Sequence, residues 1–452
     1  MIKPSYFAMP LDALVVAACH PPTQSSGTRN FDKDITDEAL CLKNGENPDQ
    51  SRSIISACDR AIASGEAAGN ALSKLYASRS FSNRDLDEYA AAKTDAEKAL
   101  STESVHALAW RAMGWVELNE EAFESALEAF DQALRAEPGS AHALAERAHT
   151  LRRMGRYDEA LVDIDIALAL REDIAWTTRQ KGWIFYYQEQ YERALTWFEK
   201  SREVAPERLW AHQSIGLAHY QLGNYIEAIE AFSEAARYSF GEADPYRERA
   251  RAHVELGQFD KALADAKKAV SVDPSYSYAH QTLSLVHYKL GNWREAAKAG
   301  ERAIQLDADN GYNHFRHAQA LSKLPGQDWG AALVPANRAV ELDPEAEGYL
   351  NQRGYLYLNL GRYDEAISDF EAAVEIDPGY SVALYNMGIT HAAAKRGDQA
   401  VNALARALET DPDREHRDVA RQIIEQLLKN GLKDDAREAA ALINDSKPAG
   451  SI

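Results

Sequence analysis

The chain is poor in cysteine, in long apolar segments and in basic residues. Its 452 residues include three cysteines, enough for one disulfide pair with one cysteine left over. No run of about 18 apolar residues occurs, so no ordinary transmembrane helix is predicted. The 70 acidic residues outnumber the 50 basic ones, and the net charge of -20 disfavours non-specific binding of nucleic acid. We therefore expect no nucleic-acid partner.

Patterns that commonly mark catalytic or metal sites are also missing. The sequence contains no His-Glu-x-x-His, paired Cys-x-x-Cys, phosphate-binding loop or Gly-x-Ser-x-Gly pattern. Among its 13 histidines, His219, His253 and His287 are spaced by 34 residues, which favours a recurring structural position in a helix. We expect no catalytic residue, no metal and no cofactor, and we expect the chain not to be an enzyme.

A repeat of 34 residues runs through most of the sequence. Chains of this length exceed the usual size of a single hydrophobic core, and repetition lets each unit bury its apolar face against its neighbours. After a step of 36 residues, across the turn-forming stretch 324–328, the phase resumes. The alanines that keep this period are Ala126, Ala160, Ala194, Ala228, Ala262, Ala296, Ala332, Ala366 and Ala400.

Each unit has the sequence signals of two helices and a tight turn. In the unit 107–140, we expect Gly114 to face Ala126 and Ala133, because two helices approach closely where side chains are small. Asp-Pro pairs such as Asp273-Pro274 end the second helices, since proline cannot continue a helix. Glycines at the ends of first helices are expected to adopt left-handed caps: Gly155, Gly223, Gly257, Gly291 and Gly361.

The recurring small residue, alanine, aromatic, alanine and proline resemble the tetratricopeptide repeat family. The resemblance implies an all-α, right-handed superhelical solenoid of antiparallel helix pairs. Ten repeats are predicted over 73–414, after a half-repeat at 53–72 and before capping helices and a tail at 415–452. The predicted units start at Ser73, Ala107, Ala141, Ala175, Leu209, Ala243, Ser277, Gly311, Glu347 and Ser381.

Residues 1–19 suggest a separate hypothesis about export. Val-Ala-Ala-Cys ending at Cys19 resembles the bacterial lipobox, in which the cysteine is lipidated, and 20–52 would then contain a tether. Asp12 and the prolines at 4 and 10 are unusual for a signal segment, and a mis-assigned start codon is an alternative explanation. The predicted location is the bacterial envelope or periplasm, with a lipid anchor to the membrane. The alternative is the cytoplasm.

The remaining cysteines, Cys41 and Cys58, are candidates for a disulfide bond. In an exported chain this bond would fix the N-terminal segment to the array. In a cytosolic protein both would instead be reduced, and two of the three cysteines would act as small buried hydrophobic residues.

The family resemblance also implies where a partner binds. First helices would line a concave groove in which aromatic and arginine side chains act as anchors; the alternative is that several of these aromatics pack between neighbouring units. A two-carboxylate clamp known in the family is not supported, because its positions hold Arg111 with Trp115, Ala145 with His149, and Arg179 with Trp183. The predicted groove residues are Trp176, Arg179, Trp183, Tyr187, Trp210, Gln213, Tyr220, Arg247, Arg251, Tyr278, Gln281 and Tyr288.

The sequence therefore predicts a protein-interaction scaffold that binds a peptide or a partner helix in this groove. The alternative is a substrate-selecting subunit of an enzyme complex whose chemistry lies on a partner. Neither the partner nor the oligomeric state follows from the sequence.

Overall fold

The computed structural model describes residues 37–42, 48–102, 106–171, 174–239, 241–326 and 328–410, and these residues form 22 α-helices and no strand. The predicted signal segment, Cys19 and the predicted capping helices after residue 414 lie outside the described residues.

The helices divide into two compact units, one up to Leu256 and one from Gly257, here called unit 1 and unit 2. Unit 1 contains α1 (Asp37–Cys41), α2 (Pro48–Ala63), α3 (Gly69–Arg84), α4 (Tyr89–Leu100), α5 (Ala107–Asn119), α6 (Phe123–Ala136), α7 (Ala141–Arg153), α8 (Tyr157–Leu170), α9 (Ala175–Tyr187), α10 (Tyr191–Val204), α11 (Leu209–Gln221), α12 (Tyr225–Arg237) and α13 (Asp244–Glu255). Unit 2 contains α14 (Phe259–Val272), α15 (Ser277–Lys289), α16 (Trp293–Leu306), α17 (Gly311–Leu321), α18 (Trp329–Leu342), α19 (Glu347–Asn359), α20 (Tyr363–Ile376), α21 (Ser381–Ala393) and α22 (Gly397–Thr410).

Within each unit, every helix packs against the next one along the chain, and the short turns between them make neighbours antiparallel. The predicted all-α solenoid of helix pairs is confirmed. First helices start at the residues given by the 34-residue period, except that α3 begins at Gly69 and α13 at Asp244. The second helices α14, α18 and α20 end at the residue before an Asp-Pro pair.

The close approach of the two helices in a pair depends on a glycine facing a phenylalanine 16 residues later. A Cβ added to Gly114 would lie 2.5 Å from the ring of Phe130, so that ring, and not Ala126 or Ala133, is its nearest neighbour. The expected contact partner of Gly114 was wrong. An equally short distance separates such a Cβ on Gly216 from the ring of Phe232. The glycine therefore leaves room for the aromatic ring that packs between the two helices of the pair.

One helix pair in unit 2 packs without the contact between a glycine and an aromatic ring. Ser284 stands where α15 would carry the glycine, and Gly300 stands in α16 where the aromatic residue would be. The Ser284 hydroxyl donates a hydrogen bond to the carbonyl of Ala296 over 2.8 Å, and an added Cβ on Gly300 would lie 3.2 Å from His317. Both positions are small in this pair, and Gly300 lets the next first helix approach closely at His317.

The turns inside the pairs use a left-handed residue, as predicted for the glycines. Gly155, Gly223, Gly257, Gly291 and Gly361 all have φ between 68° and 76°. Where the repeat lacks glycine, Glu121, Glu189 and Lys395 adopt φ of 58°, 58° and 60°. The turn geometry is therefore imposed by the packing of the helix pair and does not require glycine, although a side chain there is strained.

Candidate functional site

The predicted groove residues all lie on first helices, but their exposure differs. Six of their side chains are buried: Arg179, Trp183, Gln213, Tyr220, Arg247 and Gln281. The others are partly exposed: Trp176, Tyr187, Trp210, Arg251, Tyr278 and Tyr288. Only the second set presents surface to a partner without rearrangement. Binding by either set stays a prediction.

Arginines and aromatic rings form stacked contacts from one first helix to the next in unit 1. Each guanidinium lies over a ring at a distance typical of cation–π attraction, which restricts the motion of these long side chains on the first helices. The distances from the guanidinium carbon to the ring centre are 4.6 Å for Arg84 and Trp115, 4.7 Å for Arg152 and Tyr187, 4.5 Å for Arg179 and Trp210, and 4.8 Å for Arg251 and Tyr220.

Three of these first helices, α5, α7 and α9, meet around the buried ring of His149. The His149 ring centre lies 5.6 Å from that of Trp115 and 6.1 Å from that of Trp176. Nδ1 of His149 is 3.0 Å from Oε1 of Gln180 and 3.3 Å from Nη2 of Arg152. Burial, with Arg152 as the next contribution, holds the pKa of His149 well below its ordinary value of 6.5, so the ring is neutral at physiological pH. We call Trp115, His149, Arg152, Trp176 and Gln180 the His149 cluster.

Three N–H donors of the His149 cluster are among the buried polar atoms of the described residues that have no hydrogen-bond partner. They are Nε of Arg152, Nε2 of Gln180 and Nε1 of Trp115. A buried donor without an acceptor costs about 1–3 kcal/mol. Such a group is satisfied by an ordered water, is a structural defect, or is a preformed donor for a ligand.

A cavity of about 270 Å³ adjoins the His149 cluster. It lies between α3, α4 and α5, and Trp115 forms one of its walls. Phe81, Ala112 and Val116 make the rest of the lining largely apolar, and Arg84 stands at its edge over Trp115. The predicted groove, which begins at Trp176, did not include this cavity. The signal available in the sequence was the pair of aromatics Phe81 and Trp115 with Arg84.

A second charged cluster lies within α13 and involves two predicted groove residues. The Arg247 side chain is 1% exposed; its Nε donates to Asp244 over 2.9 Å and its Nη2 to Glu248 over 2.5 Å. Arg251 donates to the other oxygen of Glu248 over 2.7 Å. Burial alone would raise the pKa of Glu248, but the charges of Arg247 and Arg251 hold it below 4.5. These contacts give Arg247 a structural role within its helix.

The N-terminal helices are linked through the two cysteines predicted to pair. A disulfide bond joins Cys41 of α1 to Cys58 of α2 in the structure, and both residues are fully buried. Ile54, Ala57 and Leu75 pack around them. The bond closes a loop with a sequence separation of 17 residues. Whether this bond forms in the cell depends on whether the compartment is oxidising. The location of the protein stays a prediction.

Two further properties of the described residues bear on function. None of their helices is both long enough and apolar enough to cross a membrane. Within the same residues, no group of three or more histidine, cysteine, aspartate or glutamate side chains is arranged to hold a metal ion.

Solved structures resemble the chain to different extents. YrrB, a TPR protein with an unusual peptide-binding site, is 30% identical over 43% of this chain and 99% of its own, with a TM-score of 0.35. Human IFIT1, as a dimer with PPP-AAAA, is 15% identical over 79% of this chain and 90% of its own, with a TM-score of 0.54. The second likeness concerns the fold alone. No curated protein sequence matches the chain.

Sequence models of the tetratricopeptide repeat match from residue 83 to residue 423. One matches 83–141, 179–246, 247–311 and 317–381, another matches 139–207, and a third matches 357–423. The first of these covers more than half of the chain by itself. Together with the helix pairs, the glycine–phenylalanine packing and the left-handed turns, these matches show that the chain belongs to the tetratricopeptide repeat family, whose members generally bind other proteins.

Proposed function

We propose that this chain is a protein-interaction scaffold, without chemistry of its own, that binds a peptide or a partner helix along the first helices of unit 1. The observation that supports this most is the row of arginines stacked on aromatic rings on these helices. Arginine, tryptophan and tyrosine are the residues that most often dominate binding energy at interfaces. Stacking holds them in place before a partner arrives, which lowers the entropic cost of binding.

The two partly exposed tryptophans of this row provide the test. Replacing Trp176 and Trp210 with alanine should weaken binding of the natural partner by at least tenfold, because truncating an aromatic anchor costs about 2 kcal/mol or more. Binding should be measured by affinity purification of the full chain, followed by titration with the purified partner.

Trp197 offers a matched control, because it is a partly exposed tryptophan on the second helix α10, where it packs against Lys181 and Lys200. Its replacement with alanine should leave the affinity unchanged. If Trp197→Ala weakens binding and the double variant does not, the partner binds on the second helices and the proposal fails. A catalytic partner that co-purifies in a fixed ratio would instead indicate the substrate-selecting role.

We also propose that the chain is exported and lipidated at Cys19, with the cytoplasm as the alternative location. The lipobox-like sequence and a buried Cys41–Cys58 pair support this. The intact mass of the mature protein tests it directly. A membrane-bound product starting at Cys19 with added lipid mass is expected, and a soluble product starting at Met1 with two free buried thiols would contradict it.

A further inference from the structure

We propose that the His149 cluster and the adjoining cavity form one binding site for a partner segment that carries an aspartate or glutamate next to a large apolar side chain. This inference rests on the proposed function, since it names the chemistry of the partner. The carboxylate would accept hydrogen bonds from the unpaired donors of the His149 cluster, and the apolar side chain would fill the cavity.

The donors are buried and one of them belongs to a charged guanidinium, which is unusual without a compensating anion. Arg152 is 3% exposed and Gln180 is 1% exposed. No described carboxylate lies within ion-pair distance of Arg152, whereas Arg147 on the same helix pairs with both Asp131 and Asp163. Arg152 is therefore a buried guanidinium of unit 1 without a carboxylate partner among the described residues, and its charge is available to a ligand.

The local field also favours an anion over a neutral group. Arg152, Arg153 and Arg179 all act on the His149 ring as positive charges, although the chain as a whole carries a net charge of -20. Three N–H donors are available and one of them belongs to a guanidinium without a carboxylate partner. This set matches a singly charged carboxylate, which accepts several hydrogen bonds, better than a doubly charged phosphate.

The cavity would bind the large apolar side chain of the partner segment. Its volume of about 270 Å³ and its wall of Phe81, Ala112, Val116 and Trp115 suit a leucine or phenylalanine side chain. Trp115 borders both the cavity and the His149 cluster, so the two groups of the partner must lie close together in its sequence. Partly exposed Trp115, Trp176 and Tyr187 border the buried donors. A ligand reaches them through rotamer changes of these rings, which are common at interfaces.

The experiment selects a random dodecapeptide phage library on the full chain and measures the affinity of a selected peptide by fluorescence anisotropy. We expect selected sequences to carry aspartate or glutamate within a few residues of leucine or phenylalanine. Replacing those acidic residues by their amides should weaken binding at least tenfold. Arg152→Met should have the same effect on binding. Because it also removes the contacts of Arg152 with Tyr187 and His149, the melting temperature is measured alongside the affinity.

Two further variants separate a binding role from a structural one. Gln180→Glu places a carboxylate beside Arg152 and should abolish binding of the acidic peptide, even if Arg152→Met proves unstable. Arg316→Met is the matched control: Arg316 is a buried arginine of unit 2, over the ring of Tyr288, whose Nε and Nη2 have no partner among the described residues. Its replacement should change the affinity by less than twofold.

The outcomes distinguish this inference from the proposed function. Selected peptides without acidic residues, or equal losses in Arg152→Met and Arg316→Met, would overturn the inference and leave the scaffold role intact. If the library yields no binder but binding of the natural partner still requires Trp176 and Trp210, the inference is overturned and the scaffold role again stays intact. If the library yields no binder and the natural partner also binds the Trp176 and Trp210 double variant with unchanged affinity, both the inference and the proposed function are overturned.

Discussion

Both units are built from the same 34-residue repeat, but the polar groups between their neighbouring first helices differ. In unit 2 several of these groups are amides that satisfy each other: Gln281 donates to Asn313 over 3.0 Å, Asn313 donates to Ser277 over 3.0 Å, and Asn386 donates to Asn351 over 2.9 Å. Arg316, over the ring of Tyr288, is the exception, with two donors that have no partner among the described residues. In unit 1 they are arginines stacked on rings, with several donors left without acceptors.

Under the proposed function, this difference would separate stability from binding within one scaffold. A satisfied amide network stabilises a repeat array and leaves little for a partner to gain. Arginine–aromatic contacts with unpaired donors cost stability locally and leave hydrogen-bonding capacity that a ligand can use. Under the proposed function, unit 1 carries the binding surface of the described chain.

The largest expected effect comes from the charged cluster of α13 in unit 1. Replacing Glu248 with glutamine removes one of the carboxylates that pair with the buried Arg247, and breaking a buried ion pair costs about 3–5 kcal/mol. Hydrogen exchange of α13 peptides should report this loss, because repeat arrays open locally.

The comparable change in unit 2 is Asp369→Asn. Asp369 binds Arg353, whose side chain is 21% exposed, so the expected cost is about 1–2 kcal/mol. Equal losses in the two variants would contradict the distinction drawn between the units.

Packing inside the helix pairs gives the next prediction. Gly216→Ala in unit 1 places a Cβ 2.5 Å from the Phe232 ring, whereas Gly300→Ala in unit 2 places one 3.2 Å from His317. Overpacking of the first kind costs about 1–3 kcal/mol, and we expect a smaller change for the second. Thermal melts followed by circular dichroism would rank the two variants, and the reverse order would show that the Phe232 ring can move aside.

Acidification should weaken unit 1 through His149. Its pKa is far below 6.5 in the folded chain, so the unfolded chain takes up a proton first as the pH falls. Stability is therefore present above pH 6.5 and is lost progressively below it. The depressed pKa of Glu248 adds a loss below pH 4.5, as that carboxylate becomes protonated first in the unfolded chain. Chemical denaturation between pH 7.5 and 5 should show a shallower pH dependence for His149→Gln; an unchanged slope would exclude His149 as the source.

The smallest expected effect concerns the left-handed turns. Glu189 in unit 1 has φ of 58°, and Gly291 in unit 2 has φ of 74°. Glu189→Gly should stabilise the chain by up to about 1 kcal/mol through relief of strain, offset in part by the entropy of the unfolded chain. Gly291→Ala should destabilise it by a similar amount. Differential scanning calorimetry would test both signs.

The sequence predicts the helix pairs well because their signals recur at a fixed spacing. The starts of α5, α7 and α9 follow directly from the period. The turns at Glu121 and Glu189 could not be predicted from glycine, since packing imposes the conformation on a residue that disfavours it. The partner of Gly114 was misassigned because spacing alone does not distinguish a neighbouring alanine from the ring of Phe130.

The candidate site is much less visible in the sequence. Aromatic and arginine content pointed to first helices of both units, α9 to α15, as the groove, but burial of Arg179 and Trp183 and exposure of Trp176 depend on contacts between repeats. The unpaired donor of Arg152 has no sequence signal at all, because it is defined by the absence of a carboxylate nearby in space.

The most direct test of the account is site-specific photo-crosslinking of the full chain in its native cells. A photo-crosslinking residue is placed either at Trp176, on the first helix α9, or at Ile226, which is 61% exposed on the second helix α12. If the partner binds along the first helices, a specific protein crosslink is expected from position 176 and none from position 226. The same partner captured from position 226, and not from 176, would contradict it.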